Sequence, residues 1–206
     1  MTADIDIDTN IDSAAPPSEH RHVGAYVEML ISSLIGLVAS LILSIEAITL
    51  ATNPAAVLSC DISSKISCGV VAQTWQAQLF GWPNSFLGLI AEPVVITVAV
   101  AALGGVRFPR WFMLTAQAIY TLGFLFAWWL FYQSYFVIGA LCPWCLLITI
   151  TTTLVFMSMS RVNILDGNFG AGITRALTPA LSWWVDVWVS VLIVAALAAA
   201  VIFRYL

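Results

Sequence analysis

Residues 111–160 read WFMLTAQAIYTLGFLFAWWLFYQSYFVIGALCPWCLLITITTTLVFMSMS, and this stretch holds no Asp, Glu, Lys or Arg. At about 1.5 Å per residue, one helix of that length would be roughly twice what a ~30 Å hydrocarbon layer needs. The chain must therefore turn back within it. Gly and Pro interrupt the run around Val137-Ile-Gly-Ala-Leu-Cys-Pro143, so the break is placed there. The result is one span from Trp111 to about Phe136 and another from about Ala140 to Ser160.

Outward from this pair, the first apolar run extends from about Val23 to Leu50 and is followed by a polar stretch, Thr52 to Gln78. A second span begins near Pro83 and ends at Gly104-Gly105, with Glu92 as its only formal charge. A hydrophilic loop, Arg161 to Thr178, precedes a fifth apolar run, roughly Leu181 to Phe203. With 61% hydrophobic and 9% charged residues and a mean hydropathy of +0.98, the composition excludes an ordinary soluble domain. The runs lack the period-2 alternation of a barrel strand. An all-α integral membrane protein follows: four spans forming a bundle over 23–160 with an outer loop at 52–82, a cytoplasmic loop at 161–180 and a fifth transmembrane helix over 181–206.

The net charge of −4 owes much to Asp4, Asp6, Asp8, Asp12 and Glu19. With Pro16 and Pro17 among them, residues 1–22 read as a disordered acidic tail rather than a signal peptide. Arg21, Arg107, Arg110, Arg161 and Arg175 fall on one side of the spans, and only Lys65 and Arg204 on the other. The positive-inside rule then places the N-terminus in the cytoplasm and the C-terminus outside. Glu46, near the outer end of the first span, is read as a side chain that snorkels to the interface.

This topology puts Cys60, Cys68, Cys142 and Cys145 all on the outer side, where disulfides persist. Cys142-Pro-Trp-Cys145 opens a helix, with Pro suited to its first turn and the first sulfur on the exposed end. A thiolate there is favoured by the helix dipole and free backbone N–H groups, which makes the pair competent for exchange. The motif alone also fits a structural disulfide or half of a metal site. Cys60 and Cys68 lie in a loop with Asp61, Ser63, Ser64, Lys65 and Ser67, where they form either a mobile shuttle pair or a static staple. After them, Val71, Trp75 and Leu79 recur at helical spacing and predict one short helix at the membrane surface. The sequence holds no Rossmann glycine pattern, no haem attachment motif and few candidate metal ligands, and its two histidines, His20 and His22, both fall inside. A dithiol relay ending on a lipid-soluble quinone fits these features.

Cys60-Asp-Ile-Ser-Ser-Lys-Ile-Ser-Cys68, then Leu79-Phe-Gly-Trp-Pro-Asn-Ser-Phe-Leu-Gly88, then Ile138-Gly-Ala-Leu-Cys-Pro-Trp-Cys145 together resemble the vitamin K epoxide reductase family in its bacterial form, from the first span through the fourth. The resemblance implies a membrane thiol oxidoreductase that uses menaquinone or ubiquinone as electron acceptor. Cys142 and Cys145 would form the redox centre, with Cys145 facing the quinone. Cys60 and Cys68 would receive electrons from a thioredoxin-fold (DsbA-like) protein, Cys60 meeting the partner and Cys68 bridging to Cys142. Many bacterial relatives carry a fused thioredoxin domain that is not seen here, so a separate extracytoplasmic partner is expected. The family's quinone-bonding side chain falls on Asn84, and a small hydroxyl residue near the loop pair falls on Thr74.

Thr149 stands where vertebrate members carry Tyr, which weighs against epoxide reduction, the second enzymatic reading. Glu92 stands where many relatives are uncharged. Eight residues beyond Asn84, it lies on about the same helix face, some 12 Å away by helix rise. An ionisable group in a span is a functional candidate, here one that tunes or protonates the quinone site, against the plainer alternative of a carboxyl satisfied within the bundle. A reading of another class, a membrane scaffold or transporter with stapled outer loops, predicts disulfides that never change state.

Overall fold

The computed structural model describes residues 22–205. The expected acidic tail, His22 apart, lies outside them. Helices α1 (Val23–Thr52), α2 (Cys68–Ala72), α3 (Ser85–Leu103), α4 (Arg110–Tyr132), α5 (Pro143–Leu165), α6 (Ala171–Ser182) and α7 (Val185–Tyr205) follow in chain order. A 3₁₀ turn covers Trp75–Gln78, and a π-helical turn, Gln133–Ile138, extends α4. Five of these stretches are long and apolar enough to cross a membrane: α1, α3, α4 with its π turn, α5 and α7. The protein is an all-α membrane protein, with no strand among the described residues.

Each turn has a local cause. Gly139 takes φ +75°, a conformation open to glycine at little cost, and its N–H bonds Ser134 O at 3.0 Å, ending the π turn. Ser134 Oγ donates to Ala140 O at 2.6 Å, and α5 starts at Pro143 with Cys142 as its N-cap. Hydroxyls in the spans are satisfied locally by donating to the carbonyl four residues back, as Ser33 does to Met29, Ser44 to Ser40 and Thr153 to Thr149.

Packing is closest between α1 and α3, α1 and α5, and α4 and α5. Along α1–α3 the residues meet in antiparallel register. Ser44 Oγ, its own proton on Ser40 O, accepts from Ser85 Oγ at 2.9 Å, Gly88 abuts Ser40, and Gly36 abuts Glu92. Below them Met29, Val95, Ala99, Tyr120, Val155 and Met159 form the apolar core. Small residues on this seam bring the two backbones together, which is how helices associate where lipid gives no hydrophobic drive. Between α4 and α5, Phe124 stacks on Phe156 with ring centroids 4.4 Å apart, and Gln117 links Ser160 and Asn163.

Several features depart from what hydropathy alone predicts. Residues 161–180, expected as a hydrophilic loop, continue α5 to Leu165 and then form α6, and the fifth span starts at Val185. The apolar side chains of α6, such as Ile173 and Leu177, were too few and too interrupted to be counted as a span. The single surface helix expected through Val71, Trp75 and Leu79 is broken at Gln73 and Thr74: Val71 is buried while Trp75 and Leu79 are exposed. Asp186 makes a two-pronged pair with Arg161 at 2.8 and 2.9 Å, joining α7 to α5, and Arg161 also lies 5.1 Å over the Trp184 ring.

Candidate functional site

All four cysteines gather at the end of the bundle where α1 finishes and α5 begins. Cys60 and Cys68 form a disulfide with Cα atoms 5.7 Å apart, and Cys142 and Cys145 are free thiols. Cys142 Sγ lies 3.3 Å from Cys68 Sγ and accepts the Cys145 N–H at 3.2 Å. The first sulfur of the C-x-x-C is therefore not on an exposed turn as the sequence led us to expect. Cys142 is 1% exposed, buried under the loop, and Cys145 is the more accessible.

The loop is held by its backbone. Leu141 N donates to Lys65 O at 2.8 Å and Ser67 N to Leu141 O at 3.0 Å, forming an isolated parallel bridge between Ile66 and Leu141. This clasp sets Cys68 beside Cys142. Within the loop Asp61 is the organiser: its Oδ1 accepts from Ser67 Oγ and from Gly69 N, and its Oδ2 from Leu58 N at 2.9 Å. Burial pushes the Asp61 pKa up, but these bonds, with one from the Cys68 backbone, outweigh it and leave the carboxyl below its ordinary value.

Glu46 does not snorkel. It is 8% exposed, accepts a hydrogen bond from Ser59 Oγ at 2.6 Å, and sets its oxygens 3.4 and 3.7 Å from Cys60 Sγ. The loop folds back over the end of α1, and a contact between residues so far apart in sequence left no local signal. The carboxylate and the two loop sulfurs lie within 4.8 Å of one another.

Asn84 caps α3. Its Nδ2 donates to Gln76 O at 2.6 Å, and its buried Oδ1 has no partner among the described residues. Thr74 starts the 3₁₀ turn, its hydroxyl donating to Val71 O at 2.7 Å. An aromatic network spans the same end, running from Trp75 through Trp129 and Phe126 to Phe80, Trp82 and Phe86, with neighbouring centroids 5.7 to 6.2 Å apart. Glu92 lies deeper, 3% exposed between α1 and α4, with Tyr120 Oη 3.4 Å from Oε1 and with Oε2 unpartnered among the described residues.

A buried disulfide in van der Waals reach of a free thiol, at one end of a helical membrane bundle, defines a membrane protein built for thiol chemistry. The vitamin K epoxide reductase family model matches residues 27–160, covering α1 through α5 up to Ser160. The chain belongs to that family, and membership marks it as an oxidoreductase. No curated protein matches the chain.

Proposed function

We propose that the protein is a thiol:quinone oxidoreductase that reoxidises a thioredoxin-fold, disulfide-forming partner. The observation that carries this reading is the 3.3 Å separation of Cys68 and Cys142 sulfurs beside an intact Cys60–Cys68 disulfide. A partner thiolate bonds Cys60 and releases Cys68 as thiolate; the partner's second thiol then resolves that mixed disulfide and leaves oxidised. With Cys142 and Cys145 joined as a disulfide, Cys68 thiolate bonds Cys142 and releases Cys145 as thiolate. Cys60 thiolate then bonds Cys68 and releases Cys142, which restores the loop disulfide; each exchange breaks one S–S bond and makes one, so a pair of electrons moves from the partner to the Cys142/Cys145 dithiol while the partner's two protons go to solvent.

A quinone supplies the terminal sink when bound, taking two electrons and two protons. The residues present fit such a group. The Asn84 amide keeps a second N–H to donate to a quinone carbonyl, and its unpartnered Oδ1 can accept from a hydroquinone hydroxyl. The aromatic network offers flat apolar faces at the same end. Thr74 holds the turn after the redox loop through its bond to Val71 O, and Glu92, the acid of α3, is the buried group that could donate a proton. We place this end of the bundle on the outer face of a bacterial cytoplasmic membrane, because the arginines at the opposite end argue for it.

The test is thiol trapping of the purified protein. Added dithiol should turn the loop pair into trapped thiols, and menaquinone or ubiquinone should restore the disulfides; states indifferent to both would leave only a stapled scaffold. Cys142→Ala or Cys145→Ala should abolish quinone reduction. Offering quinone and its epoxide side by side separates the second enzymatic reading, which Thr149 disfavours.

A further inference from the structure

The loop disulfide is chemically lopsided. Cys68 Sγ faces the Cys142 sulfur at 3.3 Å, while Cys60 Sγ faces the Glu46 carboxylate at 3.4 Å. Among the described residues no Lys, Arg or His pairs with that carboxylate; its partner is the Ser59 hydroxyl. The other acid nearby, Asp61, directs its oxygens to backbone and hydroxyl donors rather than to either sulfur.

Thiolate–disulfide exchange passes through three sulfurs in line, with negative charge shared by the two outer ones and little on the centre. If Cys60 is the centre, the charge falls on the incoming sulfur and on Cys68. If Cys68 is the centre, the charge falls on Cys60, against a carboxylate in a water-poor setting where like charges repel strongly. We propose that Glu46 sets the polarity of the loop disulfide: incoming thiolates bond Cys60, and Cys68 leaves as the thiolate that faces Cys142. The balance is RS⁻ plus Cys60–S–S–Cys68 giving RS–S–Cys60 and Cys68–S⁻, with no other oxidant or reductant. The role deepens the relay reading and rests on it for its purpose, but the chemistry it specifies needs neither quinone nor partner.

The test therefore omits both. In full-length protein carrying Cys142→Ser and Cys145→Ser, the oxidised loop is exposed briefly to 2-mercaptoethanol, an uncharged thiol, and quenched with N-ethylmaleimide, and both loop positions are mapped by mass. With Glu46 present, mercaptoethanol should sit on Cys60 and maleimide on Cys68. Glu46→Gln should lower that preference by roughly tenfold, the size expected when a like charge beside the leaving sulfur is removed. Glu46→Asp keeps the charge and should hold the preference. A Gln variant as selective as the parent would overturn the proposal in favour of burial as the guide, and an Asp variant as unselective as Gln would reduce Glu46 to a packing role. If the Gln variant does not fold, the fully reduced parent still decides: alkylation of Cys60 by iodoacetamide should need a higher pH than that of Cys68, and the reverse order overturns the idea. Failure of any of these leaves thiol trapping with quinone unaffected, so the two readings fall separately.

Discussion

Asp61 holds the redox loop through charge-assisted bonds, and that gives the loop a pH dependence of known sign. Its carboxyl is lowered in the folded loop relative to an unfolded chain. The stabilisation is therefore complete above an ordinary Asp pKa of about 4 and disappears as pH falls through the lower folded value. Amide exchange over residues 58–69, taken relative to the intrinsic rate at each pH, should be flat from neutral pH to about 4 and accelerate below it. Asp61→Asn should speed that exchange at neutral pH on the order of tenfold, since bonds to a charged acceptor are the stronger ones. Glu92 is the second residue whose chemistry can be isolated. If it donates a proton during turnover, Glu92→Gln should slow quinone reduction by tenfold or so and change its pH profile, within the usual range for a lost acid. A rate unchanged across pH would leave it a buried carboxyl satisfied by Tyr120. Among residues, the sequence marked the cysteines by motif spacing and Glu92 by its charge in an apolar span, both local signals, while Asn84 was marked by the family resemblance alone. Glu46 and Asp61 act through loop contacts that no periodicity encodes, though the Cys-Asp dipeptide and an acid near the end of α1 were there to be noticed.

At the scale of elements, the spans were readable because uninterrupted apolarity and the Gly–Pro break are one-dimensional. The seam between α1 and α3 was not, since it depends on which small residues face which. A Cβ at Gly88 would run into Ser40 Oγ, whereas one at Gly123 in α4 meets nothing within 4 Å. Gly88→Ala should lower stability by about 1–3 kcal/mol through overpacking, while Gly123→Ala should be neutral or gain up to about 1 kcal/mol of helix propensity. Thermal unfolding of the two variants in the same detergent checks the contrast. Equal shifts would mean that the seam yields. The break between α2 and the 3₁₀ turn escaped the sequence for a related reason: Val71 packs with Cys68 and Cys142, and this long-range contact overrides the helical period that links Val71 to Trp75.

For the molecule as a whole, the structure brings all four cysteines to one end, as the span count required. The side of the membrane they face rests on the arginines, and it can be measured. Ser63→Cys, in the exposed redox loop, should react with an impermeant maleimide added outside intact cells. Arg175→Cys, in α6 at the opposite end, should react only after the membrane is opened. The opposite pattern would invert the topology and place the thiol chemistry in the reducing compartment.

The clasp between residues 65–67 and Leu141 has a consequence for competition in such a crowded compartment. Because two backbone bonds hold Cys68 against Cys142, exchange between them is intramolecular, and its effective concentration far exceeds that of any dissolved thiol. Small thiols that reach Cys60 therefore meet a pair that closes on itself faster than they can return. Side chains at Ile62 and Ser64 can vary widely without loosening that grip, since main-chain atoms make it and Ser63 Oγ braces it by accepting from Lys65 N and Ile66 N.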